Sequence, residues 1–225
     1  MSKKTKILLV DDHQLIIEGI LSYLKDIDYL QIETSNSCDD AFTRIKANQH
    51  NEPFHIVFTD LSFDNKNDNT TLDDGEALIK ALQQEEIDIK TGVITGHSET
   101  NRVFNVVHNL NPNAYILKGN CNTDELTFAI KKMLKGEVYY THQIHQKLLK
   151  RALIEIQMDE MAIQILKELP KHAKISNLEG LIKKRDGSIM KVRSIEGKLA
   201  KLRTDLQAQN NTDLVLKAKE LGILD

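Results

Sequence analysis

The chain has 225 residues, of which 40% are hydrophobic, 28% are charged and 5% are aromatic. This length fits one large domain or two small ones, and an apolar fraction of this size can fill a core. A mainly disordered chain, a collagen, a mucin and a pure coiled coil are therefore excluded. The two cysteines form no CxxC pair, which excludes a disulfide scaffold and a cysteine zinc site and suits a reducing compartment.

The sequence predicts a cytoplasmic protein without a membrane partner. It has no run of 18 apolar residues, the minimum for a helix that spans a bilayer. The apolar run 7–10 near the start is too short for a signal peptide.

The small net charge of −3 conceals two halves of opposite sign. Residues 1–138 contain 14 basic and 22 acidic side chains, whereas residues 139–225 contain 16 basic and 11 acidic side chains. This division indicates two modules with different partners.

Short apolar runs alternate with helical patterns through the first half. Strands are predicted at 7–10, 30–32, 55–59, 92–95 and 114–117, and helices at 15–24, 39–46, 78–82, 103–107 and 126–134. Continuous apolar runs are typical of strands that are buried on both faces. The pattern therefore predicts an α/β fold, a (βα)5 doubly wound parallel sheet with helices on both faces.

The second half shows helical patterns and no convincing strand. The predicted helices cover residues 143–157, 159–169, 178–184, 188–202 and 212–221. We therefore predict an α/β domain over 1–139, a helical linker over 140–157 and an all-α domain over 158–225.

Polar side chains stand at the ends of four predicted strands. Asp11 and Asp12 end the first strand, and the others end at Asp60, Thr95 and Lys118. The carboxyl ends of parallel strands share one edge of a sheet, so these side chains should converge. Three carboxylates in one cleft require a cation, and all-oxygen ligation suits Mg²⁺. With a carboxylate nucleophile, a hydroxyl and a fixed positive charge, the predicted chemistry is phosphoryl transfer onto an aspartate.

Four short motifs carry a family resemblance. The segments KILLVDDHQ (6–14), VFTDL (57–61), VITGH (93–97) and YILKG (115–119) resemble the receiver domain of bacterial two-component response regulators. The segment 124–139 is similar to the end of receivers in the NarL/FixJ branch.

The resemblance implies a role for each strand-end residue. Asp60 would accept phosphate from a phosphohistidine of a sensor histidine kinase, and Thr95 and Lys118 would bind the phosphoryl oxygens. Tyr115 would be an aromatic switch residue that moves inward with Thr95. The implied Mg²⁺ ligands are Asp12, Asp60, the backbone carbonyl of Ser62 and, through water, Asp11.

The segment after the phosphoacceptor departs from the receiver pattern. Asp64 stands where receivers usually have proline, and the acidic, Asn-rich loop 64–74 is longer than usual. The insertion could cover the site, alter the choice of kinase or change the rate of dephosphorylation.

A strongly basic stretch lies in the second half. Between Lys171 and Arg203 there are ten basic and three acidic residues, the electrostatic footprint of a nucleic-acid binder. Residues 176–202 resemble a LuxR-type helix-turn-helix, with departures at Gly180, Lys191 and Gly197. The resemblance implies a recognition helix over 188–202, DNA contacts by Lys183, Lys184, Arg185, Ser188, Ile189, Lys191, Val192 and Arg193, and a dimerisation helix over 212–221.

Three functions are compatible with these residues. The first is a response regulator that is phosphorylated on Asp60, forms a homodimer on activation and controls transcription by binding DNA. The second is a response regulator whose degenerate output domain binds a protein instead. The third is a phosphohydrolase of the haloacid dehalogenase type, but such enzymes need a second Asp two residues after the nucleophile, and Ser62 occupies that position. We therefore expect no enzyme activity beyond Mg²⁺-dependent self-phosphorylation and slow self-dephosphorylation.

Overall fold

A computed structural model describes residues 4–64 and 70–224, except the side chains of 155–157. The chain divides into two compact units, 1–98 with 105–145 and 99–104 with 146–225. Within the described ranges, no helix is both long and apolar enough to cross a membrane.

The first unit is built on a parallel sheet. Its strands are β1 (Thr5–Val10), β2 (Leu30–Ser35), β3 (Ile56–Thr59), β4 (Lys90–Thr95), β5 (Ala114–Leu117) and β6 (Tyr139–Tyr140). Their order is β2-β1-β3-β4-β5-β6, and every neighbouring pair is parallel. The predicted α/β class and parallel sheet are confirmed. The two-residue strand β6 was not predicted, because a run this short has no recognisable periodicity.

Helices follow the strands in chain order. They are α1 (Gln14–Leu24), α2 (Cys38–Asn48), α3 (Gly75–Gln84), α4 (Thr100–Leu110) and α5 (Thr123–Leu134). Side chains of Ser37, Asp74 and Asn122 accept hydrogen bonds from backbone N–H groups in the first turns of α2, α3 and α5. Such caps satisfy donors that the helix itself leaves free and so fix where each helix begins.

Alternate residues of the strands pack into two separate core layers. Ile7 and Leu9 of β1 pack with α1 and α5, whereas Leu8 and Val10 pack with α2 and α3. A sheet buried on both faces explains the continuous apolar runs of its strands. The strands are thereby held rigidly, with their carboxyl ends at one edge.

The strand register aligns those carboxyl ends. Val10 pairs with Thr59, and Thr95 pairs with Leu117. Asp11, Asp60 and Lys118 directly follow their strands, so the register brings them to the same edge of the sheet.

The second unit is helical. It contains α6 (His142–Gln157), whose residues 142–145 belong to the first unit, and α7 (Glu160–Glu168), α8 (Val192–Asp205) and α9 (Asn211–Glu220). Two 3-10 turns lie at Leu169–Lys171 and Ile175–Leu178. Its core includes Ile165, Leu166, Leu178, Ile195, Leu199 and Leu214, all buried. The predicted all-α character of this unit is confirmed.

The segment before α8 differs from the prediction. The helix predicted over 178–184 is wrong: the 3-10 turn ends at Leu178, and Lys183 pairs with Ile189 in an antiparallel bridge. The helix predicted to begin at residue 188 begins at Val192. The cause is local, because Gly180 and Gly187 adopt φ of +92° and +79°, a left-handed conformation that interrupts a helix.

Candidate functional site

Lys118 bridges two buried carboxylates at the carboxyl edge of the sheet. Its Nζ lies 2.7 Å from Oδ2 of Asp11 and 2.7 Å from Oδ2 of Asp60. Asp11 is 2% exposed and Asp60 is 6% exposed. Carboxylates this far removed from water require a positive partner, and Lys118 supplies it.

The same contacts fix the charge of Lys118. Burial alone lowers the pKa of its ammonium group, but hydrogen bonds and charges from Asp11 and Asp60 outweigh burial and raise this pKa above its usual value. Lys118 therefore carries a full positive charge at neutral pH, available to an anion that enters the site.

The side chain and the backbone of Asp60 are each held by a hydrogen bond. Its Oδ1 accepts a hydrogen bond from the N–H of Leu61 at 2.6 Å, and its carbonyl accepts one from Oγ1 of Thr59 at 2.8 Å. A Cβ at Gly75, the first residue of α3, would lie 1.9 Å from the carbonyl oxygen of Asp60. Only glycine allows this approach, so α3 fixes the position of Asp60.

A potential metal site lies beside this ion pair. Ligand atoms of Asp11, Asp12 and His13 lie within 4.8 Å of one another. His13 Nδ1 is 2.9 Å from Oδ1 of Asp12, and Oδ2 of Asp12 accepts a hydrogen bond from the N–H of Asp64 at 2.7 Å. Carboxylate oxygens are the donors that Mg²⁺ prefers, so Asp11 and Asp12 fit that ion, whereas the ring nitrogen of His13 does not. Sequence reasoning did not include His13, although it directly follows the paired aspartates.

A hydrogen-bond network centred on His97 connects the expected switch residues. The N–H of His97 donates to Oγ1 of the buried Thr95 at 3.3 Å, and its carbonyl accepts from the hydroxyl of Tyr115 at 2.9 Å. Its Nε2 lies 2.8 Å from Oγ of Ser62. Tyr115 is fully buried. His97 was missed as a connecting residue, although its place two residues after Thr95 puts it at the same sheet edge.

Only part of the insertion 64–74 can be placed, because residues 65–69 lie outside the described ranges. Near the C-terminal end of the insertion, the N–H groups of Thr71 and Leu72 donate to the carboxylate of Asp39 at 3.1 and 3.2 Å. Among the described residues, both ends of this loop are thus held by aspartates of the first unit.

The candidate DNA-binding residues divide between two elements of the second unit. Those exposed on the bridged segment before α8 are Lys183, Lys184, Arg185, Ser188 and Ile189. The remaining three are Lys191, which precedes α8 and lies 3.6 Å from Glu179, and Val192 and Arg193 in its first turn.

Comparison with known proteins agrees with this arrangement. The chain matches the model of the response regulator receiver domain over residues 7–131. It is 23% identical over 224 residues to response regulator protein VraR of Staphylococcus epidermidis, covering 97% of this chain and 98% of the relative. It is 26% identical over 183 residues to response regulator UvrY of Escherichia coli O157:H7, covering 76% of this chain and 77% of the relative.

Solved structures share the two-unit fold. The RcsB response regulator of Salmonella typhimurium is 20% identical with a TM-score of 0.62, covering 97% of this chain and 99% of that one. A complex of RcsB with DNA is 19% identical with a TM-score of 0.60, covering 97% and 100%. Fold and site together define a receiver domain. The family match extends over more than half of the chain, and the protein therefore belongs to the response regulator family.

Proposed function

We propose that this response regulator is phosphorylated on Asp60 by a sensor histidine kinase and that it controls transcription through DNA binding by its second unit. The observation that carries the proposal is the pair of 2.7 Å contacts that set Lys118 between Asp11 and Asp60. A nucleophilic carboxylate next to a fixed cation is the arrangement that phosphoryl transfer requires.

In the proposed reaction, a carboxylate oxygen of Asp60 attacks the phosphorus of a phosphohistidine on the kinase. The new O–P bond forms as the N–P bond breaks, and the electron pair of that bond stays on the imidazole nitrogen. Lys118 then pairs with a phosphoryl oxygen, and the hydroxyl of Thr95 donates to another. Both groups stabilise negative charge that was absent before the transfer.

Mg²⁺ would supply positive charge that offsets repulsion between the entering phosphoryl group and the carboxylates. Asp12, Asp60 and the carbonyl of Ser62 are the proposed direct ligands, and Asp11 would act through a water molecule. The carboxylate donors favour this assignment because Mg²⁺ prefers oxygen ligands.

Thr95 and Tyr115 are proposed to transmit the phosphorylation of Asp60 to the surface of the first unit. Both hydrogen-bond to the backbone of His97, so a displacement of Thr95 toward a phosphoryl group would pull on the segment that also holds Tyr115. A rearrangement there would change the surface of the first unit and promote a homodimer.

DNA is the proposed output partner because the stretch from Lys171 to Arg203 is basic, with ten basic against three acidic residues. A homodimer would engage two half-sites about one helical turn apart.

Acetyl phosphate provides a direct test in the presence of Mg²⁺. We expect intact-mass spectrometry to show one added phosphoryl group on the wild-type protein and none on Asp60→Asn. Size-exclusion chromatography with light scattering should show a dimer only for the phosphorylated protein. Equal phosphate uptake by Asp60→Asn would refute the assignment of Asp60.

A further inference from the structure

Residues 182–190 form a small hairpin, here named the basic hairpin. Ile182 and Met190 at its base are 0% and 4% exposed, and both belong to the core of the second unit. The N–H of Met190 donates to the carbonyl of Ile182 at 2.9 Å, and the N–H of Lys184 donates to the carbonyl of Ser188 at 2.9 Å. The base is thus anchored in the core, while the residues between the two anchors are exposed.

The tip of the basic hairpin is held in a defined turn. The N–H of Gly187 donates to the carbonyl of Lys184 at 2.9 Å, and Gly187 adopts φ of +79°. This is the three-residue hairpin loop that ends on a left-handed glycine. The Asp186 carboxylate accepts from the N–H and the hydroxyl of Ser188 at 2.9 and 2.7 Å. These bonds reduce the ordering entropy that binding would cost.

Gln164 of α7 holds the hairpin from the side. Its Oε1 accepts from the N–H of Lys183 at 3.0 Å, and its Nε2 donates to the carbonyl of Lys183 at 3.3 Å. The hairpin therefore has a fixed position in the unit, and its orientation does not depend on the exposed side chains.

The exposed part carries three consecutive basic residues, Lys183, Lys184 and Arg185. The acidic residue at the tip, Asp186, accepts hydrogen bonds from Ser188. A net positive charge on an exposed hairpin with a hydrogen-bonded turn is complementary to the phosphate backbone of a nucleic acid duplex.

The hairpin also lies next to the start of α8. Met190 is two residues from Val192, and two residues span at most about 7 Å. A duplex that is contacted by the first turn of α8 therefore lies within reach of the long side chains on the hairpin.

We propose that the basic hairpin is a DNA-binding element in its own right, which contacts phosphates beside the base-reading end of α8. The proposal rests on the proposed DNA-binding function of the second unit. It replaces the two-helix arrangement expected from the sequence: a β-turn, rather than a first helix, positions Lys184 and Arg185 against the backbone of the duplex. Base recognition is left to Arg193 and its neighbours on α8.

The test uses the full chain treated with beryllofluoride and Mg²⁺, and a fluorescent 30-base-pair duplex of mixed sequence as the probe. Binding is measured by anisotropy over a series of salt concentrations. Each phosphate contact contributes about 0.9 to the slope of log K against log salt, so Lys184→Ala with Arg185→Ala should lower the magnitude of the slope by about 2. Exchanging the two residues, as Lys184→Arg with Arg185→Lys, keeps both charges and should preserve the wild-type slope.

The matched control removes the same number of charges elsewhere in the unit. Lys150→Ala with Lys167→Ala, at exposed positions of α6 and α7, should leave the slope within about 0.5 of wild type. An equal loss of slope in the hairpin and control variants would overturn the hairpin proposal and leave DNA binding standing. No binding of the wild-type protein at low salt would overturn both proposals.

Discussion

Lys118 balances two carboxylates that are almost wholly removed from water. Replacing it with alanine leaves Asp11 and Asp60 without that cation and should destabilise the first unit by about 3 kcal/mol. Mg²⁺ bound at the proposed site would restore the missing positive charge, so it should stabilise Lys118→Ala more than it stabilises the wild-type protein. Urea denaturation with and without Mg²⁺ measures both effects.

Lys80→Ala is the control for this experiment, because Lys80 is exposed on α3. Its stability should stay within about 0.5 kcal/mol of wild type. If Lys118→Ala were equally harmless without Mg²⁺, the ion pair would not support the fold.

Gly75 tests how closely α3 must approach the phosphoacceptor. Its added Cβ would meet the backbone of Asp60 and Oγ1 of Thr59 at 1.9 and 2.8 Å, so Gly75→Ala should cost about 1–3 kcal/mol and lower phosphate uptake. Beyond its chain neighbours and the backbone of its own helix, Gly19 in α1 has no atom within 4 Å of the corresponding Cβ, and Gly19→Ala should stabilise the protein by up to about 1 kcal/mol. Thermal unfolding of both variants should therefore shift in opposite directions, and a shared direction would contradict this account.

Cys38 provides a pH-dependent prediction. Burial, with the nearby charges of Asp74 and Asp39, raises the pKa of its thiol from 9.0 to about 12. The unfolded chain ionises this thiol near pH 9, so the contribution of the neutral thiol to stability is full below pH 9 and is lost as pH rises toward about 12. Thiolate absorbance in Cys121→Ser should show no ionisation of Cys38 at pH 9 until the protein is unfolded. A native thiolate at that pH would contradict the burial argument.

At this scale the sequence predicts the strand-end residues well, since a parallel sheet dictates that they converge. Asp11, Asp60 and Lys118 do meet in the structure. The linking role of His97 was not predictable, because it depends on loop geometry and on backbone groups that have no pattern in the sequence.

At the scale of elements, the sequence of the basic hairpin contains a hairpin-turn signal, but helices were predicted there. An Asp-Gly pair between apolar residues is typical of a hairpin turn, and Asp186-Gly187 stands between Ile182 and Met190. Helices were instead predicted on both sides of this pair, over 178–184 and 188–202. By contrast, the strands of the first unit were predictable because long buried runs between polar ends allow few alternatives.

The two glycines on either side of Val192 should respond oppositely to substitution. Gly187→Ala forces an alanine into φ of +79° and should cost about 1–2 kcal/mol, whereas Gly197→Ala lies inside α8 and should stabilise the helix by up to about 1 kcal/mol. Denaturant unfolding monitored in the second unit, with a spectroscopic probe attached there, measures both changes. A stabilising Gly187→Ala would show that the turn is not formed as described.

At the scale of the whole molecule, the division of charge corresponds to a division of roles. The acidic first half contains Asp11, Asp60 and Lys118, the proposed phosphorylation site. The basic second half contains the hairpin and the first turn of α8. Composition shows that the charge changes sign between the two halves, but the form of the output unit required the structure.

Phosphorylation of Asp60 is proposed to control DNA binding by the second unit. The most direct test of this proposal is the affinity of the full chain for a library of genomic promoter duplexes, measured with and without beryllofluoride in the presence of Mg²⁺. We expect the wild-type protein to bind at least about fivefold more tightly with beryllofluoride, which is the lower range of a regulatory coupling, and we expect no change for Asp60→Asn. An affinity that is the same in both conditions, or an equal response of Asp60→Asn, would contradict it.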